Sequence, residues 1–421
     1  MKPIEFIEFD LENGLHCIIH ENHTAPIVTL DVWYHVGSKN EEPNRTGFAH
    51  LFEHLMFQGS KHVGKAEHFS YVQEAGGTLN GSTNFDRTNY YETLPANQLE
   101  LALWLESDRM ASLNVNEENF ENQRNVVIEE RRQRYDNAPY GRVYEELHKR
   151  AYTYHPYRWI PIGSIAHLQA ATVEDAQRFY KTFYSPNNAT LVVSGDVSSK
   201  EVQEKIQKYF ADIPRNGGVP RPKNEDAPLT DEIRDTFYDN VELPAIFMAY
   251  RICNATSSDA DVLDVISAIL SNGRSSRLYQ KLVHEERLAQ SVSTHASANE
   301  HDGLFYISLI ASHTTPLLEL EKRFDEELQK IVIGDLTEDE LEKAKNLAEM
   351  NFTRRLSYNF GVADSLAYFH TFFKNAGEIN QEMHRLERIT MEDVQRTAKR
   401  YFGEKKRVVL YWLPRSMKSV G

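Results

Sequence analysis

Residues 172–184 read TVEDAQRFYKTFY, and residues 390–402 read TMEDVQRTAKRYF. The two stretches start 218 positions apart, and Leu168 and Leu386 keep the same offset. Each leads into a strand-like run, ATLVVSGDV in one case and RVVLYWLP in the other. The upstream elements also correspond. APIVTLDVWYHV is followed by a helical pattern, as AIFMAYRIC is followed by DADVLDVISAIL. Chance similarity between two amphipathic helices would not carry their neighbours along in the same order. The reading is an α+β chain of two homologous α/β-sandwich domains related by internal duplication. Each is a mostly antiparallel sheet covered by helices.

Near the midpoint, RNGGVPRPKNEDAPLTDE (215–232) is rich in Pro, Gly and charge, the composition of a linker. The expected division is a first domain at 1–217, a linker at 218–232 and a second domain at 233–421.

Composition narrows the function classes. With 421 residues the chain is too long for one small domain. A net charge of −15 repels nucleic acid and anionic membrane, and no basic stripe interrupts it. The two cysteines, Cys17 and Cys253, make neither a disulfide framework nor a cysteine zinc site. Any metal must therefore rest on His and carboxylate. No apolar run approaches the roughly 18 residues of a spanning helix. The N-terminal MKPIEFIEFDLENG has acids where a signal peptide needs a basic end. The expectation is a soluble protein, cytoplasmic from the chain as given and periplasmic if a leader was removed.

Strands are expected at GLHCIIHE and APIVTLDVWYHVGS. A helix is expected through GFAHLFEHLMFQGS (47–60), stopping at Gly59, and a second ending at Gly76-Gly77. The run TLNGSTNFDRTNYYETLP is strand-like. Helices follow at NQLELALWLESDRMASL, NEENFENQRNVVIEERRQRY and GRVYEELHKRAY.

Within the first of these helices, His50 and His54 are four apart and project from one face. Two imidazoles at that spacing can hold one metal ion. Glu53 borders the same face and can reach a water on the metal as general base. The order inverts the HExxH motif, but the mechanics are shared: zinc acidifies its bound water, and the carboxylate takes the proton. A third ligand is needed. NVVIEERRQR (125–134) offers Glu129 and Glu130. Val126 and Val127 lie four and three residues before Glu130, which favours Glu130 on the inward face. A bare buried carboxylate is expensive, and a metal would be its partner.

HLFEH, a Glu 76 residues after the second His, the run GGTLNGSTNFDRTNYY and the midpoint duplication together resemble the M16 (inverzincin) zinc metallopeptidases. The resemblance is closest to the short two-domain type, of which the mitochondrial processing peptidase is one. It implies one Zn2+ per chain on His50, His54 and Glu130, with Glu53 as general base. It also implies that Asn80, Gly81, Ser82 and Thr83 lie on an edge strand that takes an extended substrate through main-chain bonds. An edge strand kept polar to prevent aggregation would look the same.

The sequence departs from the family pattern twice. Where relatives have a Glu seven residues before the ligand Glu, Gln123 brings no charge to the surroundings of the ligands. Self-sufficient relatives also carry an Arg and, seven residues on, a Tyr in the second half. In SNGRSSRLYQKLVHEERLAQSVST (271–294) those positions fall on Val283 and Gln290, and Arg274, Arg277 and Tyr279 lack the spacing. The resemblance therefore implies the zinc-bearing subunit of a heterodimer, completed by a homologous subunit with the Arg/Tyr pair. A homodimer working without the pair is the alternative.

The other histidines are read as structural. In a strand, His16 and His20 share a face but stand about 13 Å apart, and His23 falls in the next turn. His155 precedes Pro156 in a loop, and His35 packs on the strand leading to the HLFEH helix. The functional expectation is a zinc endopeptidase acting on peptides or unfolded segments enclosed between two subunits. A non-catalytic structural subunit of the same fold, or a metalloenzyme of other chemistry such as an esterase, is the rival.

Overall fold

The computed structural model describes residues 2–223 and 226–418. Among them, strands β1 (Ile7–Asp10), β2 (His16–Glu21), β3 (Ile27–Tyr34), β4 (Thr78–Thr83), β5 (Thr88–Pro95) and β6 (Ala189–Gly195) form one sheet. A second sheet is built from β7 (Ile233–Asp239), β8 (Ala245–Arg251), β9 (Ala289–Ser297), β10 (Leu304–Ala311) and β11 (Arg407–Pro414). The spatial orders are β1-β2-β6-β3-β5-β4 and β7-β11-β8-β10-β9. Without β1, the two orders match strand for strand. Each sheet has one parallel pair, β2 with β6 and β7 with β11, and is otherwise antiparallel. The fold is α+β and duplicated.

The two sequence repeats form equivalent helices, Val173–Phe183 and Met391–Phe402. Thr172 Oγ1 accepts from the Asp175 N–H at 3.2 Å, and Thr390 Oγ1 from the Asp393 N–H at 3.2 Å. Each Asp reaches back to the N–H of its Thr, closing a capping box at both helix starts. One turn on, Arg178 and Arg396 pair with those same aspartates.

In the first half, the helices are α1 (Phe48–Leu55), α2 (Glu67–Glu74), α3 (Leu99–Ser112), α4 (Glu117–Arg131) and α5 (Val143–Ala151). The run read as one strand at 78–95 is a hairpin, β4 and β5, turned by Asn84–Arg87. The Asn84 side chain accepts the N–H groups of Asp86 and Arg87, an Asx-type turn that interrupts the polar run.

The chain divides into two compact units, and neither is a consecutive stretch. One comprises Met1–Arg131, Trp159–Lys223 and Thr353–Gln381; the other comprises Arg132–Arg158, Asn224–Phe352 and Glu382–Gly421. The expected division into 1–217 and 233–421 misses this exchange. Within the first unit, the helix Asn359–Tyr368 lies on β3 and β6, burying Val362, Ala363 and Leu366 against Ile18, Trp33 and Val192. Within the second unit, α5 lies against β8 and β11. Each half thus lends a helix to the other half's sheet, because a sheet with two apolar faces needs cover on both. Of the expected linker at 218–232, residues 224 and 225 lie outside the described residues. Arg221 docks on the first unit through the His35 carbonyl and Asn188. Asp226 accepts the N–H groups of Thr153 and Tyr154 in the second. No helix among the described residues is long and apolar enough to cross a membrane.

Candidate metal centre

α1 buries Phe48, Ala49, Leu51, Phe52 and Leu55, which leaves His50, Glu53 and His54 half-exposed on its other side. It ends at Leu55, one turn before Gly59. Its start is fixed by a residue that no sequence signal marked. The buried Glu41 carboxylate accepts the N–H of Gly47 at 3.0 Å and of Ala49 at 2.8 Å. Burial pushes the Glu41 carboxyl up to about 8, against the pull of these main-chain donors. Glu41 lies six residues before Gly47, outside any capping spacing, so only the folded loop brings it to the helix end.

α4 brings in the third residue. Val127 and Ile128 are buried and Glu129 is exposed, as expected, while Val126 is 48 % exposed. The inward face at Glu130 therefore rests on Val127 alone, and Val126 does not share it. The buried Arg131 bonds the Gly163 carbonyl. Gly163 lies so close to the start of α1 that a Cβ there would stand 2.2 Å from the Gly47 nitrogen. Glycine at 163 thus lets the loop before Ser164 clamp α4 to α1.

The structure brings His50, His54 and Glu130 together. Glu130 Oε2 lies 3.6 Å from His50 Nε2 and 3.5 Å from His54 Nε2. The imidazoles meet edge to face at 78°. Tetrahedral zinc with bonds of about 2.0–2.1 Å sets its donors roughly 3.4 Å apart, so this donor set fits zinc. Gln123 lies half-buried on α4, two turns before Glu130.

Glu53 stands beside the triad. Burial raises its carboxyl above the ordinary range; the Thr83 hydroxyl, His54 and Arg87 oppose that, and Glu130 adds to it. β4 closes the side of the site as the outermost strand of its sheet. Gly81 allows its approach, since a Cβ there would lie 3.3 Å from Glu53 Cγ and 3.1 Å from Tyr90 Cδ1. Asn80, Gly81, Ser82 and Thr83 thus line an edge next to the candidate base. Behind it, Tyr90 donates to the Phe52 carbonyl at 3.3 Å, and the buried Arg109 lies over the Tyr90 ring at 4.3 Å. Arg109 falls within the expected helix NQLELALWLESDRMASL, where nothing marks it as buried. Its burial becomes intelligible only beside Glu92 and Glu106, which surround it.

Two other groups gather metal-type donors within 4.8 Å, Glu8–His16–His370 and His68–Glu92–Glu106. The imidazoles of His16 and His370 are stacked face to face at 3.5 Å and 7°. Lone pairs in parallel ring planes cannot converge on one ion. In the second group, Arg109 already supplies the positive charge. His20 bonds the Glu5 carbonyl and His23 bonds Asp196, so the cluster at 16–23 disperses. His155 bonds His301, and His35 packs edge-on against Phe372.

Among the described residues, the second unit has no such donor group. Val283 packs half-buried against its apolar core, and Gln290 is exposed on the outermost strand β9.

Residues 17–160 match the family described as Insulinase (Peptidase family M16), and residues 170–348 match Peptidase M16 inactive domain. Over 410 residues the chain is 32 % identical to the zinc protease PqqE of Helicobacter pylori, covering 96 % of this chain and 92 % of that one. It is 23 % identical over 407 residues to the mitochondrial-processing peptidase subunit beta of Mus musculus, covering 94 % and 82 %. The crystal structure of a protease from Helicobacter pylori superposes with a TM-score of 0.94 at 29 % identity, covering 98 % of this chain and all of that one.

Proposed function

The chain belongs to peptidase family M16, and we propose that it is the zinc-bearing subunit of an endopeptidase that hydrolyses peptides or unfolded segments. The observation that carries this reading is the triad. Three donors from two helices lie 3.5 and 3.6 Å apart, with a carboxylate of raised affinity for protons beside them. His50, His54 and Glu130 would hold one zinc ion. When bound, zinc supplies the Lewis acidity that makes water a nucleophile near neutral pH.

The remaining work falls to the chain's own groups. Glu53 takes the proton of the attacking water and later returns it to the leaving amine nitrogen. The Thr83 hydroxyl faces Glu53 and holds its carboxyl down, and it would orient the carboxylate. Residues 80–83 of β4 receive the peptide as an added strand through main-chain bonds. Such bonds read the backbone, so the side chains of the substrate are selected elsewhere.

Val283 and Gln290 offer neither a cation nor a phenol, which supports a second, homologous subunit that supplies both. The name of one relative, a peptidase subunit beta, agrees with this. The test measures zinc content and cleavage of a quenched peptide, for the chain alone and with the candidate partner. Glu53→Gln is expected to retain zinc and lose about 10²–10⁴-fold in cleavage. Wild-type cleavage by Glu53→Gln would sink the mechanism. Full activity of the chain alone would instead favour the homodimer. Zinc-free, inactive protein in both arms would leave the structural-subunit reading.

A further inference from the structure

The sheet face opposite α1 carries a polar network that the chemistry above does not use. Residues alternate across a strand. By the register, Ser82 on β4 faces the same side as Asn89 on β5 and Trp33 on β3. Gly81 and Thr83 face the other side, toward Glu53. Ser82 Oγ donates to Asn89 Oδ1 at 2.7 Å, and Asn89 Nδ2 donates to Asp31 Oδ1 at 3.0 Å. Trp33 Nε1 donates to Asp31 Oδ2 at 3.2 Å. Arg87, in the hairpin turn, closes the circuit. Its Nη1 donates to the Ser82 carbonyl at 2.8 Å and to Ser82 Oγ at 2.5 Å, and its guanidinium lies 5.1 Å over the Trp33 ring.

Asp31 and Asn89 are almost fully buried. Burying such groups is unfavourable unless each is bonded, and edge-strand pairing does not require them. β4 pairs with β5 alone. The network reaches past β5 and ties β4 to β3, two strands in.

The borrowed helix Asn359–Tyr368 covers this circuit. Asn359 donates to the Ile27 carbonyl at 3.2 Å, and Phe360 stacks on Tyr91 at 3.9 Å. Asp364 sits over the network with its buried Oδ1 lacking a hydrogen bond, as does the buried Nε of Arg87. Burial, followed by the charge of Asp364, raises the Asp31 carboxyl, and Arg87 pulls both acids down. Arg87 thus draws on both acids, with Arg355 adding to its pull on Asp364, and through Ser82 it grips the strand that faces Glu53.

We propose that Asp31, Asn89, Arg87 and Asp364 form a positioning brace that holds β4 extended and in register for an incoming peptide strand. The proposal rests on the reading of β4 as the strand that receives substrate. An acceptor strand ordered in advance loses less conformational entropy when a peptide adds to it. The brace lies on the face away from His50, His54 and Glu130, so it acts on peptide affinity and leaves zinc alone.

The test uses the full zinc-loaded chain with its partner, as Arg87→Leu, Arg87→Lys and Asp364→Asn. Asp31 stays intact because its loss would strand the buried donors of Asn89 and Trp33. Amide hydrogen exchange is read over 78–83 and over α1, together with zinc content, kcat and KM on a long peptide. Arg87→Leu and Asp364→Asn are expected to exchange about tenfold faster over 78–83, with α1 and zinc content unchanged. KM should rise about five- to tenfold in both, with kcat within twofold in Asp364→Asn; Arg87→Leu also removes a charge that holds the Glu53 carboxyl down, so for that variant exchange and KM are the readouts. Arg87→Lys, which keeps a donor for Ser82, should recover part of both. Unchanged exchange over 78–83 would overturn the brace, and so would faster exchange with unchanged KM. Exchange is measured without substrate. A wild-type complex that cleaves nothing therefore sinks the peptidase reading alone, and the exchange result still decides the brace.

Discussion

His148 is completely buried in the second unit, with Nδ1 2.5 Å from the Tyr157 carbonyl and Nε2 2.6 Å from the Tyr306 hydroxyl. A neutral ring satisfies both, with Nδ1–H donating to Tyr157 and Nε2 accepting from Tyr306. Burial is the main cause that lowers its pKa to about 3; Arg251 adds to this and the Tyr157 carbonyl opposes it. The unfolded histidine titrates near its ordinary value of about 6.5. Between those two values the unfolded chain binds the proton and the folded chain does not. The contribution of His148 is thus fully present above the unfolded pKa and is lost as pH falls through it. From pH 7 to pH 5 the loss is about 2 kcal/mol. His148→Gln keeps one donor and one acceptor but cannot titrate. Its unfolding free energy, from urea titrations at pH 7 and pH 5, should fall by about 2 kcal/mol less than wild type over that interval. An identical fall in both proteins would mean that His148 is already charged when folded. In the sequence, His50 stands apart from this histidine only through its spacing with Glu53 and His54. Each lies on a helix beside apolar residues, and only the facing element gives one a tyrosine and the other a glutamate.

Elements explain which signals survived from sequence to structure. The helical spacing of His50 and His54 follows from local geometry, and α1 forms where the motif required it. The third residue needed a second helix. Glu130 was legible through Val127, whereas Val126 turns outward and shows how little a neighbouring apolar residue decides on a helix only partly covered. Glu41 was illegible because its partners, the N–H groups of Gly47 and Ala49, come to it by a loop and not by helical spacing. Its role is testable at this scale. α1 has only two turns, and both histidines ride on it. Glu41→Ala leaves two N–H groups at the buried helix start without their acceptor, a loss of about 2–3 kcal/mol. The variant should therefore unfold at lower urea and bind zinc more weakly by chelator competition, although Glu41 touches no ligand. Zinc affinity equal to wild type, alongside lowered stability, would show that the ligands hold their geometry without this cap.

At the scale of the whole chain, the duplication was legible because it is written twice, in TVEDAQRFYKTFY and TMEDVQRTAKRYF, and both copies close the same capping box. The exchange of helices was not legible. The composition of residues 215–232 marks where the repeats meet, but it carries no information about which sheet covers which helix. The apolar residues of Asn359–Tyr368 carry no mark of which sheet they cover, and it is Ile18, Trp33 and Val192 that they meet. This has a consequence for cutting the molecule. A fragment 1–217 would expose that sheet face. Losing the burial of three large side chains, at about 1.5–3 kcal/mol each, removes an amount comparable to the whole stability of a domain, about 5–15 kcal/mol. A fragment 233–421 would likewise lack α5 on β8 and β11. Neither fragment should fold alone: each should bind a hydrophobic dye and unfold without a cooperative transition. Co-expressed pieces 1–223 and 226–421 keep every helix available to both sheets, and they should purify as a one-to-one complex that retains zinc. If 1–217 unfolds cooperatively by itself and holds zinc as tightly as the intact chain, the borrowed helix is dispensable. The cover over Asp31 and Trp33 would then be replaceable by solvent, a condition under which the buried carboxylate network could not persist unchanged.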